Sequence, residues 1–575
     1  MEQELTPLLR SIHTTSTHIE TAEVSPTHSI MDPAHTNIVD WTLSGQYDPD
    51  KPILIDAADP SRFITKNKAI ELIASLIGAF EPDSTVCLHI GNDILYPILC
   101  LAIWANRCQW TGPNTSYKAP ELEHHIRLSR TKYIIVADDR LETARAAVSG
   151  STTKAKIIRF TDLLALPPPS ERQDCCGRPK RYRHNSTSSE FPSLHDIQSP
   201  NRRDALAEAL RHIDLDCIAT LMSTSGTTGL PKMGARTQRS TVLESAAIED
   251  NNSLKPYEIR RLFSTPIFHS FSFPEMVINS LRLGIPAYFT KRFDIAQWPL
   301  YVEKYGITET YAPPAILQML VNCPQSHSKI QSLRNVYTGG APFTSELKVK
   351  WDALFPSGPP RVAAVYGLTE IGWFTTFKYP EMDDTSAVGR PIPGCQIRKS
   401  QDNGTTYNQI DVAELHLHSP HVMQGYYGNP EETKKMFTED GWLKTGDVGY
   451  IQDGKVYIID RAKDLIKVNG FQVSPTEIEN ALQLLKNDIE EAAVFGVDTD
   501  IEEHPFAYVV RKHAGVTVAA IKQFLDERLS SYKVGRIEIA FIDSIPRNPS
   551  GKILKKDLKV ARLLGQRRSC EMERR

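Results

Sequence analysis

The sequence predicts an α/β fold. It has a large N-terminal domain of layered α/β subdomains with a small β-barrel-like unit, followed by a small α+β domain at the C-terminal end. Three observations predict it. Apolar strand-like runs alternate with helix-like segments as far as about Phe377. From about residue 385 the pattern shifts to short strands separated by Gly, Asn and Asp. After Arg461 short strands and helices alternate again.

Residues 1–40 are rich in Ser, Thr, His and Pro and show no sustained periodicity, so a flexible or loosely docked extension is expected. A large domain is expected over 41–461 and a small one over 462–575. Pro52–Ile55 and Ser84–Ile90 read as buried strands, and Lys66–Phe80 reads as a helix. The longest apolar run, Ile94–Ala105, is shorter than the ~20 residues of a membrane span and contains Pro97, so a buried helix is expected. Residues 167–203 are polar, basic and rich in Pro and read as a disordered surface insert. Gln396–Lys399, Glu414–His418, Val448–Gln452 and Lys455–Ile459 read as strands of the small β unit. In the last domain Glu491–Phe495, Ala507–Arg511 and Glu538–Phe541 read as strands, with helices at Ser474–Leu485 and Val518–Leu529.

Composition excludes several classes. The 575 residues are 41% hydrophobic and 23% charged, ordinary values for a folded chain of more than one domain. Lys and Arg number 66 and Asp and Glu 69, for a net charge of −3, so no nucleic-acid partner is expected. Nine cysteines without a Cys-x-x-Cys pair make neither a disulfide scaffold nor a zinc site, and Cys175 and Cys176 read as free thiols. The N-terminal stretch lacks the basic start and apolar run of a secretory leader. The last residues, CEMERR, match no peroxisomal or prenylation tail. A cytoplasmic protein without a membrane span is expected.

Chemistry is most concentrated in Thr224-Ser225-Gly226-Thr227-Thr228-Gly229-Leu230-Pro231-Lys232, behind the strand-like run Ile218–Met222. Glycines let backbone approach a ligand closely. Hydroxyls and N–H groups supply donors, and Lys232 supplies charge, a combination suited to a polyphosphate. It is not a Walker A loop, because the lysine does not directly follow the second glycine. Further along stand Thr338-Gly339-Gly340-Ala341-Pro342, Tyr366-Gly367-Leu368-Thr369-Glu370, Lys444-Thr445-Gly446-Asp447, Asp460-Arg461-Ala462-Lys463-Asp464 and Pro546-Arg547-Asn548-Pro549-Ser550-Gly551-Lys552-Ile553.

With these motifs in this order, the sequence resembles the adenylate-forming superfamily of acyl-CoA synthetases, peptide-synthetase adenylation domains and firefly luciferase. The resemblance runs from about residue 45 to residue 560, and its pattern is most like the acyl-CoA synthetases of the 4-coumarate-CoA ligase kind. It implies ATP, Mg²⁺ and coenzyme A as cofactor and co-substrates. It also implies a site for the nucleotide: Ser225, Gly226, Thr227, Thr228, Gly229 and Lys232 around the phosphates, and Gly339, Gly340, Ala341 and Pro342 against adenine. Tyr366 and Gly367 would lie at the base, and Thr369 at the α-phosphate. Glu370 and Thr228 would hold the metal, a hard cation that takes oxygen ligands. Asp447 would accept from both ribose hydroxyls, as a two-oxygen carboxylate can, with Arg461 beside it.

By the same resemblance Lys552 is the catalytic lysine, its ammonium placed where negative charge gathers during adenylation. Lys467 and Gln472 match residues near the adenylate. Lys463 is the pivot of a hinge that makes the C-terminal domain mobile, and with Gly470 and Phe471 it borders the pantetheine path. His269, in Pro266-Ile267-Phe268-His269, stands where amino-acid-activating relatives carry an aspartate that pairs with the substrate ammonium. An imidazole replaces that pairing poorly, which favours a carboxylic acid lacking an α-amino group. Phe271, Gly340, Trp373 and Phe374 are the expected acid-pocket residues. The two rings after Glu370 would shorten that pocket, favouring a compact aryl or short-to-medium acyl acid. The chain departs from the family pattern at Met233, Gln238, Ala364, Val365 and Asn469.

The expected function is an acyl- or aryl-CoA ligase that makes acyl-AMP and then a CoA thioester. The alternative is a stand-alone adenylating enzyme that loads the pantetheine of a carrier protein in a biosynthetic pathway. A nucleotide-binding pseudoenzyme is disfavoured by Lys552, Glu370, Asp447 and Arg461 together.

Overall fold

A computed structural model describes residues 31–164, 201–224, 231–400, 405–407, 410–461, 464–468, 471–498, 503–529, 531–547 and 553–562. Every structural statement below concerns these residues. Cys175, Cys176 and Lys463, the expected hinge residue, lie outside them.

Two large mixed sheets carry the N-terminal part. The first runs, edge to edge, through Arg390–Pro391, Gly372–Thr376, Arg361–Leu368, Asn335–Gly339, Glu309–Tyr311, Arg261–Phe263, Ala287–Phe289, Leu54–Asp56 and Phe63–Ile64. The second runs through Gly425–Tyr426, Met233–Thr237, Ile218–Ser223, Gln109–Thr111, Thr85–His89, Thr131–Val136 and Lys156–Arg159. Most neighbours in both are parallel, with helical crossovers between them, as an α/β layering requires. The helix Tyr96–Ala105 is buried on every side, because its sequence offers no polar face. Its Trp104 Nε1 donates to Ala219 O at 2.9 Å, tying it to the second sheet.

A five-stranded antiparallel sheet follows, built from Gln396–Lys399, Ile410–His418, Leu443–Gln452 and Lys455–Arg461, with Thr405–Tyr407 paired to Ile410–His418. Then come the hairpin Ile466–Val468/Phe471–Val473 and a three-stranded sheet, Ile489–Asp498, Glu503–Arg511 and Glu538–Phe541. The helices Pro475–Gln483 and Val518–Asp526 pack on this last sheet through Ile478, Leu482, Ile521 and Leu525. Ser474 Oγ donates to Asp460 Oδ2 at 2.7 Å, so the last strand before residue 462 contacts the first helix after it.

Three expected boundaries are corrected. Residues 37–40 do not belong to the flexible extension expected over 1–40, whose first 30 residues lie outside the described residues: Asn37 caps the helix Ile38–Leu43 by accepting from Asp40 N, and Ile38 and Val39 are buried in the main core. Ile38 N donates to Gln238 Oε1 and Trp41 Nε1 to Ser245 Oγ, which docks the segment. Residues 201–203 of the insert expected over 167–203 lie instead in the helix Asn201–Arg211, and 167–200 lie outside the described residues. The helix expected over Lys66–Phe80 closes at Ser75, ahead of Gly78 at φ +81°.

Candidate active site

The two segments expected beside adenine meet on one sheet. Asn335–Gly339 and Arg361–Leu368 are parallel neighbours, which brings Thr338 opposite Ala364 and Gly339 opposite Val365. A side chain at Gly339 would put its Cβ 2.5 Å from Val365 O, so only glycine lets the strands close here. A cavity of about 50 Å³ opens beside Thr338, Gly339, Ala341, Ala364, Asp383 and Thr385. The Thr338 hydroxyl is buried without a hydrogen-bond partner.

Tyr366, Asp447 and Arg461 converge although 95 positions separate the first from the last. Tyr366 Oη donates to Asp447 Oδ2 at 2.7 Å, and Arg461 Nε lies 3.1 Å from Asp447 Oδ1. Asp447 and Arg461 are cross-strand partners, and the Thr445 hydroxyl accepts from Asp447 N at 2.9 Å. Burial, with the Asp447 carboxylate beside it, pushes the Tyr366 phenol well above its ordinary range, so it stays a donor.

On the phosphate side Ser225, Gly226, Thr227, Thr228 and Gly229 lie outside the described residues. Lys232 is described. Its ammonium is ion-paired with Glu432 and sits 4.9 Å from the centre of the Tyr426 ring. Tyr426 Oη in turn donates to Glu370 Oε1 at 2.7 Å. Glu370 Oε2 has no hydrogen-bond partner among the described residues, and Thr369 is half-buried beside it. Among those residues there is no cluster of three or more His, Cys, Asp or Glu side chains able to hold a metal. Glu370 offers a carboxylate oxygen, the ligand type that a hard cation arriving with phosphate oxygens would take.

On the acid side His269 lies in the loop after Arg261–Phe263, half-buried, and its Nδ1 accepts from Phe271 N at 3.3 Å. Phe271 stacks on Trp373 at 5.7 Å with an interplanar angle of 11°, and Trp373 Nε1 donates to Phe271 O at 2.9 Å. Tyr311 and Tyr337 complete this aromatic cluster, each about 6 Å from Trp373. Phe374 is corrected. It packs with Ile371, Leu417 and Leu443 against the five-stranded sheet, away from Phe271, because consecutive strand residues face opposite ways.

At the C-terminal end the hairpin pairs Lys467 with Gln472 and Val468 with Phe471. Lys463, Gly470 and Lys552 lie outside the described residues. Arg547 and Ile553 form an antiparallel bridge on either side of the segment that contains Lys552.

Several neighbours of the site escaped sequence reasoning. Glu432 and Tyr426 lie about 200 positions from Lys232. Arg236, Glu244 and His421 surround Trp373 and are buried. Buried charge at Arg236 and Glu244, eight residues apart, carries no recognisable pattern; only their shared position on a strand and the helix behind it joins them.

The model for AMP-binding enzymes matches residues 45–427, and the model for the AMP-binding enzyme C-terminal domain matches residues 477–552. The chain is 44% identical over 524 residues to acyl-CoA ligase M9 of Phoma sp., across 90% of this chain and 95% of that protein. It is 34% identical over 548 residues to phenylacetyl-CoA ligase epaB of Aspergillus niger, across 92% and 97%. It shares its fold with ATP-bound MatB from Rhodopseudomonas palustris at TM-score 0.72 and 23% identity, across 91% and 98%. The chain belongs to the AMP-binding enzyme family. Among the described residues no helix is long and apolar enough to cross a membrane.

Proposed function

We propose that this enzyme is an AMP-forming acid–thiol ligase that makes the CoA thioester of a carboxylic acid lacking an α-amino group. The observation that carries the reading is the convergence of Tyr366, Asp447 and Arg461 on one buried carboxylate beside the Gly339–Pro342 turn. The names of the relatives, acyl-CoA ligase and phenylacetyl-CoA ligase, support the reaction class.

In the first half-reaction a carboxylate oxygen of the acid attacks the α-phosphorus of ATP, and pyrophosphate leaves. Asp447 and Arg461 orient the ribose, Tyr366 and the Gly340 turn hold the base, and Lys232 with residues 225–229 holds the phosphates. Glu370 and Thr228 would hold Mg²⁺, which neutralises phosphate charge. Lys552 brings an ammonium to the charge that develops at the α-phosphate. In the second half-reaction the thiolate of CoA attacks the acyl carbonyl and AMP leaves. We assign the domain division to residues 461 and 462, with the hinge at Lys463. Lys467 and Gln472 serve the adenylate, while Gly470 and Phe471 border the arm that carries the thiol.

His269 supports an acid without an ammonium group, and the Phe271–Trp373 stack supports a compact one. Fungal acyl-CoA ligases among the relatives favour CoA over a carrier protein as acceptor. The test is acid-dependent ATP–pyrophosphate exchange without CoA, followed by thioester formation when CoA is added. Exchange that starts only after CoA addition overturns the two-step reading.

A further inference from the structure

Trp373 is gripped from three directions. Its main-chain N–H donates to Glu244 Oε1 at 2.8 Å, its carbonyl accepts from His421 Nε2 at 3.0 Å, and its indole N–H donates to Phe271 O at 2.9 Å. Glu244 is itself held by Arg236 at 2.7 Å, and both side chains are only 2% exposed. His421 is fully buried.

The local backbone explains why side chains do this work. Between Tyr366 and Gly367 the antiparallel register with Gly372–Thr376 slips by one residue, and a bulge of this kind disrupts the ladder beside Trp373. Buried main-chain groups need partners, and Glu244 and His421 supply them. The preceding Gly372 has φ +72°, and a Cβ there would lie 2.1 Å from Glu244 Oε1. Glycine is thus what lets the carboxylate reach the strand. A buried ion pair is rarely kept for its net stabilising effect, which points to a role in holding one geometry.

We propose that Arg236, Glu244 and His421 are positioning residues that fix Trp373 as the end wall of the acid pocket and thereby set the longest acid the enzyme accepts. The proposal rests on the reading of Trp373 as pocket wall. None of the three side chains touches the acid. They act through the main chain of Trp373, whose ring is stacked on Phe271 and cannot yield while both ends of its peptide are held.

The test follows kcat/KM for pyrophosphate release over a series of straight-chain and aryl acids of increasing length, with the KM for ATP as control. Trp373→Ala should extend the accepted length. Two double variants remove the same ion pair: R236M/E244Q keeps an acceptor for Trp373 N, and R236M/E244L does not. R236M/E244Q should keep the wild-type acid profile. R236M/E244L should shift preference toward longer acids by about tenfold, the discrimination of one or two methylenes in an apolar pocket. His421→Leu, which removes no formal charge, should shift it the same way and decides the matter if the double variants do not fold. In both, the KM for ATP should stay near wild type.

If Trp373→Ala widens the range but R236M/E244L and His421→Leu keep the wild-type profile, the clamp is overturned and the pocket reading stands. An equal loss across all acids in those variants also overturns it. If Trp373→Ala itself leaves the profile unchanged, the pocket reading fails and the proposal with it.

Discussion

Asp447 and Arg461 face one another across adjacent antiparallel strands, with Arg461 Nε 3.1 Å from Asp447 Oδ1. The pair is local to a hairpin, so its geometry is set by strand register and does not depend on how the C-terminal domain lies. Tyr366 reaches the same carboxylate from the large sheet. A ribose held here would feel the absence of either hydroxyl.

Asp447→Ala should therefore raise the KM for ATP by roughly 10–100-fold, the value of hydrogen bonds to a charged group. It should also abolish the preference for ATP over 2′-deoxy-ATP. Steady-state kinetics with the two nucleotides checks this. Undiminished discrimination in the variant would show that Asp447 does not hold the ribose.

Lys552→Ala should slow acyl-AMP formation by about 10²–10³-fold, the usual effect of losing a preorganised transition-state donor. It should still convert supplied acyl-AMP and CoA to thioester. A bulky residue at Gly470 should do the reverse and accumulate acyl-AMP. Following acyl-AMP and acyl-CoA separately reads both. Equal loss of both half-reactions in each folded variant would rule out the alternating C-terminal domain.

Burial lowers the His89 imidazole to about 4, and His125 and His421 to about 3. All three are neutral in the folded enzyme near neutrality. Unfolded histidine titrates near 6.5, so between that pH and about 4 the unfolded chain binds more protons. Stability is then fully present above about 6.5 and is lost as the pH falls toward the folded values, by up to about 3 kcal/mol for His89 alone. Thermal unfolding between pH 7 and pH 5, above the main carboxylate range, should show Tm falling with pH. His125→Gln should flatten the slope, and a flat wild-type profile would contradict the buried neutral imidazoles.

Gly372→Ala should destabilise the enzyme by about 1–3 kcal/mol, because its φ of +72° disfavours a side chain and its Cβ meets Glu244. Denaturant unfolding gives the number. A change below about 0.5 kcal/mol, the scale of ordinary surface substitutions, would mean that the turn relaxes freely.

Strand identity was legible wherever composition and spacing agreed. Gln396–Lys399 and Glu538–Phe541 read from the sequence with the ends they have in the structure. The order of the motifs was legible as well, since each is a short contiguous string. What stayed hidden was set by long-range contact. Ile38 and Trp41 stand in a polar stretch of sequence, and their docking depends on Gln238 and Ser245, far away along the chain. Adjacency in sequence suggests that Phe374 shares the surroundings of Trp373, yet strand alternation sends the two to different cores. Lys232 showed its charge in the sequence but not its partner, which lies in the helix Pro430–Met436.

That partner has a consequence for how the enzyme meets its most highly charged substrate. The Lys232 ammonium already has Glu432 as its counter-ion and a ring beneath it. On the proposed role of Lys232, phosphate oxygens arriving there would enter a competition: they would take over a cation whose charge the protein has balanced. Such an exchange changes local net charge less than filling a bare positive cleft would. The long-range attraction at this point is correspondingly weak, so nucleotide capture by Lys232 rests on short-range geometry and should respond only shallowly to ionic strength.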